Sequence, residues 1–277
     1  MKTLRFLPIL FIGLGVLNCS ENDNKVVINS PVEERGNARS YPIQDVTFSS
    51  IDGVTISATF AQIEADEQLR PAVILIHDLL SLDGKDEWIS FFEDLLARGY
   101  LPLALDLRGH GETPLPDDGR PGAGLIIADI ENSYLDVKAA IDWLKKQPGV
   151  DFGRIAVVGH GGGANVAYVS IGAFPEEIQA AVAVSPGFWN PNDLEPLVVG
   201  AAIDEFAPHS ILYMVGEQDD IPDSELSYFK FTQDLAKTTK EPTATRVFSG
   251  NTHGLELLSR EAQAVDIMID WLDAHLQ

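Results

Sequence analysis

The sequence predicts an α/β fold: a mostly parallel central sheet opened by an antiparallel hairpin, with helices on both faces. Three observations predict it. Residues 46–48 and 54–60 flank an Asp52-Gly53 step, and the second run alternates apolar and polar side chains, as a hairpin requires. From Ala72 onward short apolar runs alternate with amphipathic stretches, the order that builds a parallel sheet covered on both sides. Finally, residues 154–158 run into Gly159-His160-Gly161-Gly162-Gly163 and then a helical pattern: strand, very tight turn and helix in succession.

Taken in order, residues 72–76 are a continuous apolar run, the mark of a strand buried on both faces. Residues 88–98 are amphipathic, with Trp88, Phe91, Phe92, Leu95 and Leu96 on one face and Gly99 as the stop. A short strand follows over residues 101–105. The longest helix spans 129–146, where Ile130, Tyr134, Val137, Ala140, Ile141 and Leu144 keep helical spacing until Gln147-Pro148-Gly149 ends it. After the glycine turn come strands over 180–184 and 211–215, a helix over 224–238, a strand over 243–248 and a closing helix over 259–272. No internal repeat or second-domain boundary interrupts this order. The segment between Ser185 and His209 is too short for a large cap domain.

The 277 residues suit one domain of about 230–250 residues with appendages. A net charge of −23 argues against nucleic acid, or an anionic membrane face, as an electrostatic partner. With one cysteine there is no intrachain disulfide framework. That cysteine closes a leader: Lys2 and Arg5, then an apolar run over residues 6–17 of signal-peptide length and too short for a comfortable membrane span. The run ends at Val16-Leu17-Asn18-Cys19-Ser20, which resembles the lipobox of bacterial lipoproteins, with Asn18 in place of the usual Gly or Ala. The resemblance implies that residues 1–18 are removed as a signal peptide and that Cys19 is lipidated as the mature N-terminus. The protein would then sit in the bacterial cell envelope; plain secretion and a retained anchor are the alternatives. Residues 20–40 are polar, rich in Asn and Glu, and read as a tether of roughly 25 Å r.m.s. reach. The domain occupies residues 41–277.

The turn after residue 158 fits the Gly-x-nucleophile-x-Gly pattern of a nucleophile elbow, with Gly161 in the nucleophile slot. Around it stand Ile76-His77-Asp78, Asp106-Leu107-Arg108-Gly109-His110-Gly111, Gly216-Glu217-Gln218-Asp219 and Thr252-His253-Gly254. In this order the chain resembles the α/β-hydrolases, and in layout the dienelactone hydrolase and small esterase group. The resemblance implies an α/β-hydrolase fold, with Asp219 as the acid and His253 as the base. Asp220 is the backup for the acid. It also implies an oxyanion hole from the Gly162 N–H and one from the loop at Asp78 and Leu79.

Such chemistry needs an activated hydroxyl or thiol, and glycine supplies neither. Three readings follow. The leading one is a membrane-tethered, degenerate hydrolase that binds a ligand without acyl transfer. The alternative is an esterase or lactonase in which a His–Asp dyad works with water or an unrecognised nucleophile. The third is that Gly161 replaces a parental serine. A small ester, lactone or carbonyl compound is the expected ligand; no cofactor and no metal are expected, and the sequence names no protein partner. His77, Asp78, Asp106, His110 and His160 offer metal-ligating groups and Ser185 a substitute nucleophile, but a structural role is the stronger reading for each. The glycines lack the Lys-Ser/Thr of a phosphate-binding loop. Phe188 and Trp189 suit a pocket wall or ordinary packing alike.

Overall fold

Every second side chain of a strand points to the same face, and the buried runs of this chain sort by that rule into two apolar cores. A computed structural model describes residues 41–61, 68–114, 130–187, 206–221, 226–261 and 263–276. The fold described is that of the unit ending at Gln277. Strands β1 (Ile43–Ser49) and β2 (Thr55–Ala61) form the antiparallel hairpin, in register from Ile43 opposite Ala61 to Ser49 opposite Thr55. The sheet continues through β3 (Arg70–Ile76), β4 (Leu101–Leu105), β5 (Val150–His160), β6 (Ala180–Val184), β7 (His209–Gly216) and β8 (Lys240–Phe248). Its eight strands lie in the order β1-β2-β4-β3-β5-β6-β7-β8. The β2–β4 pair is antiparallel and every pair from β4 to β8 is parallel.

The two cores lie on opposite faces of this sheet. On one, Ile74 and Ile76 of β3 and Ile155 and Val157 of β5 pack with α2 (Ile130–Leu144), α3 (Gly162–Ala173) and Leu235 of α4 (Tyr228–Thr238). On the other, Val73, Leu75, Ala156 and Val158 pack with Trp88, with Phe92 and Leu95 of α1 (Phe92–Ala97), and with two C-terminal helices. Alternation along β3 and β5 therefore feeds both cores, which is why these strands read as unbroken apolar runs. Helix α3 is buried along its whole length.

Two helices differ from the sequence expectation. Residues 88–98 were expected as one helix; the chain makes a 3-10 helix over Gly84–Phe91 and only then α1. The tighter winding brings both the N–H and the Nζ of Lys85 onto the Asp106 carboxylate, at 2.8 and 3.0 Å. The closing helix is likewise two: α5 (Gly254–Arg260) and α6 (Ala264–His275), broken by an extended Glu261 and a left-handed Gln263 at φ 70°. Leu257, Leu258, Met268, Ile269 and Leu272 enter the same core across the break, so the apolar spacing conceals it. The expected helix over 224–238 begins at Tyr228, and residues 222–225 lie outside the described set. Strand β8 begins earlier than expected and carries Pro242, which an edge strand accommodates. Among the described residues no helix is long and apolar enough to cross a membrane.

Candidate active site

The site lies where the parallel strands end. Strand β5 delivers the chain into Gly161, which turns at φ 55° and ψ −128° before α3 begins at Gly162. Side chains rarely adopt this backbone region, and glycine enters it at little cost. The turn is held by Gly161 N–H donating to Val184 O at 3.0 Å and Ala164 N–H donating to Gly161 O at 3.1 Å. Helix α3 sits hard against β3: a Cβ on Gly163 would stand 2.2 Å from His77 O. The elbow geometry is thus present around a residue with no side chain.

Its empty volume is taken by Asp78. A Cβ built on Gly161 would lie 2.4 Å from Asp78 Cγ and 2.6 and 2.7 Å from its two oxygens. Gly162 N–H donates to Asp78 Oδ1 at 2.8 Å, so the amide expected to receive an oxyanion already holds a carboxylate. Asp78 enters the hole through its side chain, while its own N–H lies 3.3 Å from His160 Nε2. Leu79 is buried with its side chain against Gly162, and its carbonyl accepts from His110 Nε2 at 2.8 Å.

Opposite, Asp219 and His253 form a hydrogen-bonded pair. His253 Nδ1 donates to the Asp219 oxygens at 2.9 and 3.1 Å, which leaves Nε2 as the basic nitrogen. Asp219 is 2 % exposed, whereas the His253 side chain is 34 % exposed. Ser185 supports the pair: its hydroxyl donates to Asp219 Oδ2 at 2.7 Å and accepts Gly254 N–H at 3.0 Å. Asp220 is exposed and bridges to Ser227, away from the histidine. The Tyr228 ring stands 4.1 Å from the His253 ring, seated against Gly187, where a Cβ would meet it at 2.2 Å. Burial raises the Tyr228 phenol above its ordinary pKa, and the charges of both Asp78 and Asp219 push it further. The phenol thus feels the charge of both carboxylates of the site.

The remaining histidines are structural. His160 Nε2 donates to Glu87 Oε2 at 2.7 Å, beneath Trp88. Burial alone would raise the Glu87 carboxyl, but the bonds from His160 and Ser81 outweigh it and hold it below the usual range. His77 donates from Nδ1 to Asp78 O at 2.8 Å and accepts Leu107 N–H on Nε2 at 3.0 Å. Burial, then the neighbouring His110, lowers its pKa to about 4. Asp106 is spent on Lys85 and on Glu112 N–H. Among the described residues no three His, Cys, Asp or Glu are placed to hold a metal ion. Cys19, Phe188 and Trp189 lie outside the described residues.

An eight-stranded, mostly parallel sheet with a tight elbow after β5, an acid after β7 and a histidine after β8 defines an α/β-hydrolase. The chain belongs to the dienelactone hydrolase family, whose model matches residues 58–272. Solved structures agree on the fold. The esterase Pf2001 of Pyrococcus furiosus superposes with a TM-score of 0.63 at 22% identity, over 90% of this chain and 100% of that one. A dienelactone hydrolase from Anabaena variabilis gives 0.61 at 18% identity, over 86% and 99%. The α/β hydrolase GrgF from Penicillium gives 0.62 at 17%, over 85% and 99%. No curated protein matches the sequence.

Sequence reasoning placed the elbow, Asp219 and His253 but did not find Tyr228, nor the support from Ser185. Tyr228 opens an amphipathic helix and looks like any first-turn aromatic. The signal for Ser185 was its place one residue beyond β6, next to the elbow strand.

Proposed function

We propose that this is a hydrolase-fold protein held in the bacterial cell envelope by a lipid on Cys19, and that it performs no acyl transfer through residue 161. One observation carries the reading: the Asp78 carboxylate stands in the volume of the missing nucleophile and takes the Gly162 N–H. Loss of a serine nucleophile alone lowers turnover by about 10⁶, or about 8 kcal/mol of transition-state stabilisation. A carboxylate in the oxyanion hole adds charge repulsion to that loss. On this reading a small ester, lactone or carbonyl compound is at most a bound ligand.

A second reading is favoured by the state of the dyad. Asp219 and His253 are bonded, supported by Ser185 and Gly254, and leave Nε2 as the basic nitrogen of a partly exposed side chain. Such an arrangement serves a proton transfer, so a hydrolytic step with water or a nucleophile other than residue 161 fits it.

Hydrolysis of nitrophenyl acetate and butyrate by the full chain in detergent, beside His253→Ala, tests the primary reading. Rates equal to buffer in both proteins are expected; turnover that His253→Ala abolishes would refute it. For the anchor, Cys19→Ala is expected to move the protein from the membrane to the soluble fraction of a bacterial host. Continued membrane association would remove the lipid from the account.

A further inference from the structure

We propose that Asp78 is itself a nucleophile, and that the protein hydrolyses a small electrophile at saturated carbon, an epoxide or an alkyl halide, through an ester on this carboxylate. The inference rests on the second of the two readings above and names the nucleophile that it leaves open.

Three features of the site carry it. The two Asp78 oxygens are not equivalent: Oδ1 accepts the Gly162 N–H at 2.8 Å, while among the described residues no donor bonds to Oδ2. The carboxylate stands within 2.4–2.7 Å of where a side chain on Gly161 would begin, at the head of a helix aimed at the reacting group. The Asp219–His253 pair supplies the base, since His253 gives its Nδ1 proton to Asp219 and keeps Nε2 to accept one.

The occupied oxyanion hole decides the substrate class. Attack by a carboxylate on an acyl ester yields a mixed anhydride, and the substrate carbonyl would find its donor already engaged. Attack at a saturated carbon needs no oxyanion hole. Asp78 Oδ2 forms a bond to that carbon while the carbon–halogen or epoxide carbon–oxygen bond breaks, its electron pair leaving on the halide or the ring oxygen. The ring oxygen then takes a proton from solvent. The product is an ester of Asp78.

In the second step His253 Nε2 accepts a proton from water and hydroxide adds to Asp78 Cγ. The negative charge develops on Oδ1, where the Gly162 N–H already points. Collapse expels the alkoxide, which takes the proton back from His253, and the carboxylic acid ionises. The sum is addition of water to the epoxide, or replacement of halide by hydroxyl with release of acid. One carboxylate oxygen of Asp78 now comes from water. The donor that disfavours acyl transfer in the first step thus serves the second.

The test uses the full chain in detergent with styrene oxide and 1-bromobutane as probes, in water enriched in oxygen-18, followed by mass spectrometry of the peptide bearing Asp78. The expected result is oxygen-18 in Asp78 after turnover of at least one probe, and the probe that labels identifies the leaving group. With His253→Gln the ester should accumulate as a mass increment on the same peptide. Asp78→Asn, a near-isosteric change whose folding is checked by its melting temperature, should lower turnover at least about a hundredfold. Product with unlabelled Asp78, or neither label nor adduct with either probe, overturns the proposal. Nitrophenyl acetate, run separately, reports on acyl transfer: its turnover would refute the primary reading of function, and the Asp78 label is scored independently of it.

Discussion

Ser185 ties two elements to one carboxylate. Its hydroxyl gives a proton to Asp219 and accepts the Gly254 N–H at the start of α5, and all three groups are buried. Removing the hydroxyl strands a buried N–H and takes a donor from a buried charge, which costs about 1–3 kcal/mol. Ser185→Ala should therefore lower the urea midpoint by that equivalent, with a melting shift of roughly 2–4 °C per kcal/mol for a domain of this size. A midpoint unchanged from the native chain would mean that the Gly254 N–H finds another partner. The residue scale is also where sequence reading reached its limit at Asp78. A carboxylate is hostile to an oxyanion, but nothing in Ile76-His77-Asp78 tells whether the side chain or the amide turns into the hole.

At the scale of elements, the contact of α3 with β3 decides where the elbow stands. Gly163 has no room for a methyl group: its Cβ would meet His77 O at 2.2 Å and Ile76 O at 2.6 Å, both backbone atoms that cannot swing away. Gly163→Ala should destabilise the fold by about 3 kcal/mol, or prevent folding, because the helix must lift from the sheet. Denaturation showing a loss below about 0.5 kcal/mol would contradict so close a contact. The strands were legible because a buried parallel strand carries a continuous apolar run that little else produces. Helix ends were less so. Asp106 tightens residues 84–91 into a 3-10 helix from a distance in sequence, and Gln263 breaks the closing helix without Gly or Pro while apolar spacing continues across it.

For the whole molecule, acid stability follows from two opposed effects. His77 is buried, and its pKa of about 4 lies below the ordinary 6.5 of a histidine. The unfolded chain therefore binds a proton between these values that the folded chain refuses. Its contribution is complete above about pH 6.5 and is lost as pH falls toward 4, in total about 3 kcal/mol. Against it, the net charge of −23 makes the folded state self-repelling, and protonation of carboxylates relieves that repulsion over the same range. Comparison with His77→Gln separates the two, since the surface charge is common to both. The stability difference between native and variant should narrow as pH falls from 6.5 to 4. Parallel curves would place the acid response elsewhere.

The central claim is that Asp78, and not residue 161, occupies the nucleophile's place. Nitrophenyl acetate hydrolysis by Gly161→Ser, and by Gly161→Ser combined with Asp78→Gly, tests it most directly. The account predicts that the single variant stays at the buffer rate, because its serine meets the Asp78 carboxylate and the Gly162 N–H remains engaged. The double variant, with that carboxylate gone and Asp219 and His253 intact, should exceed buffer by at least about 10³-fold. Equal activity in the two variants would contradict the account.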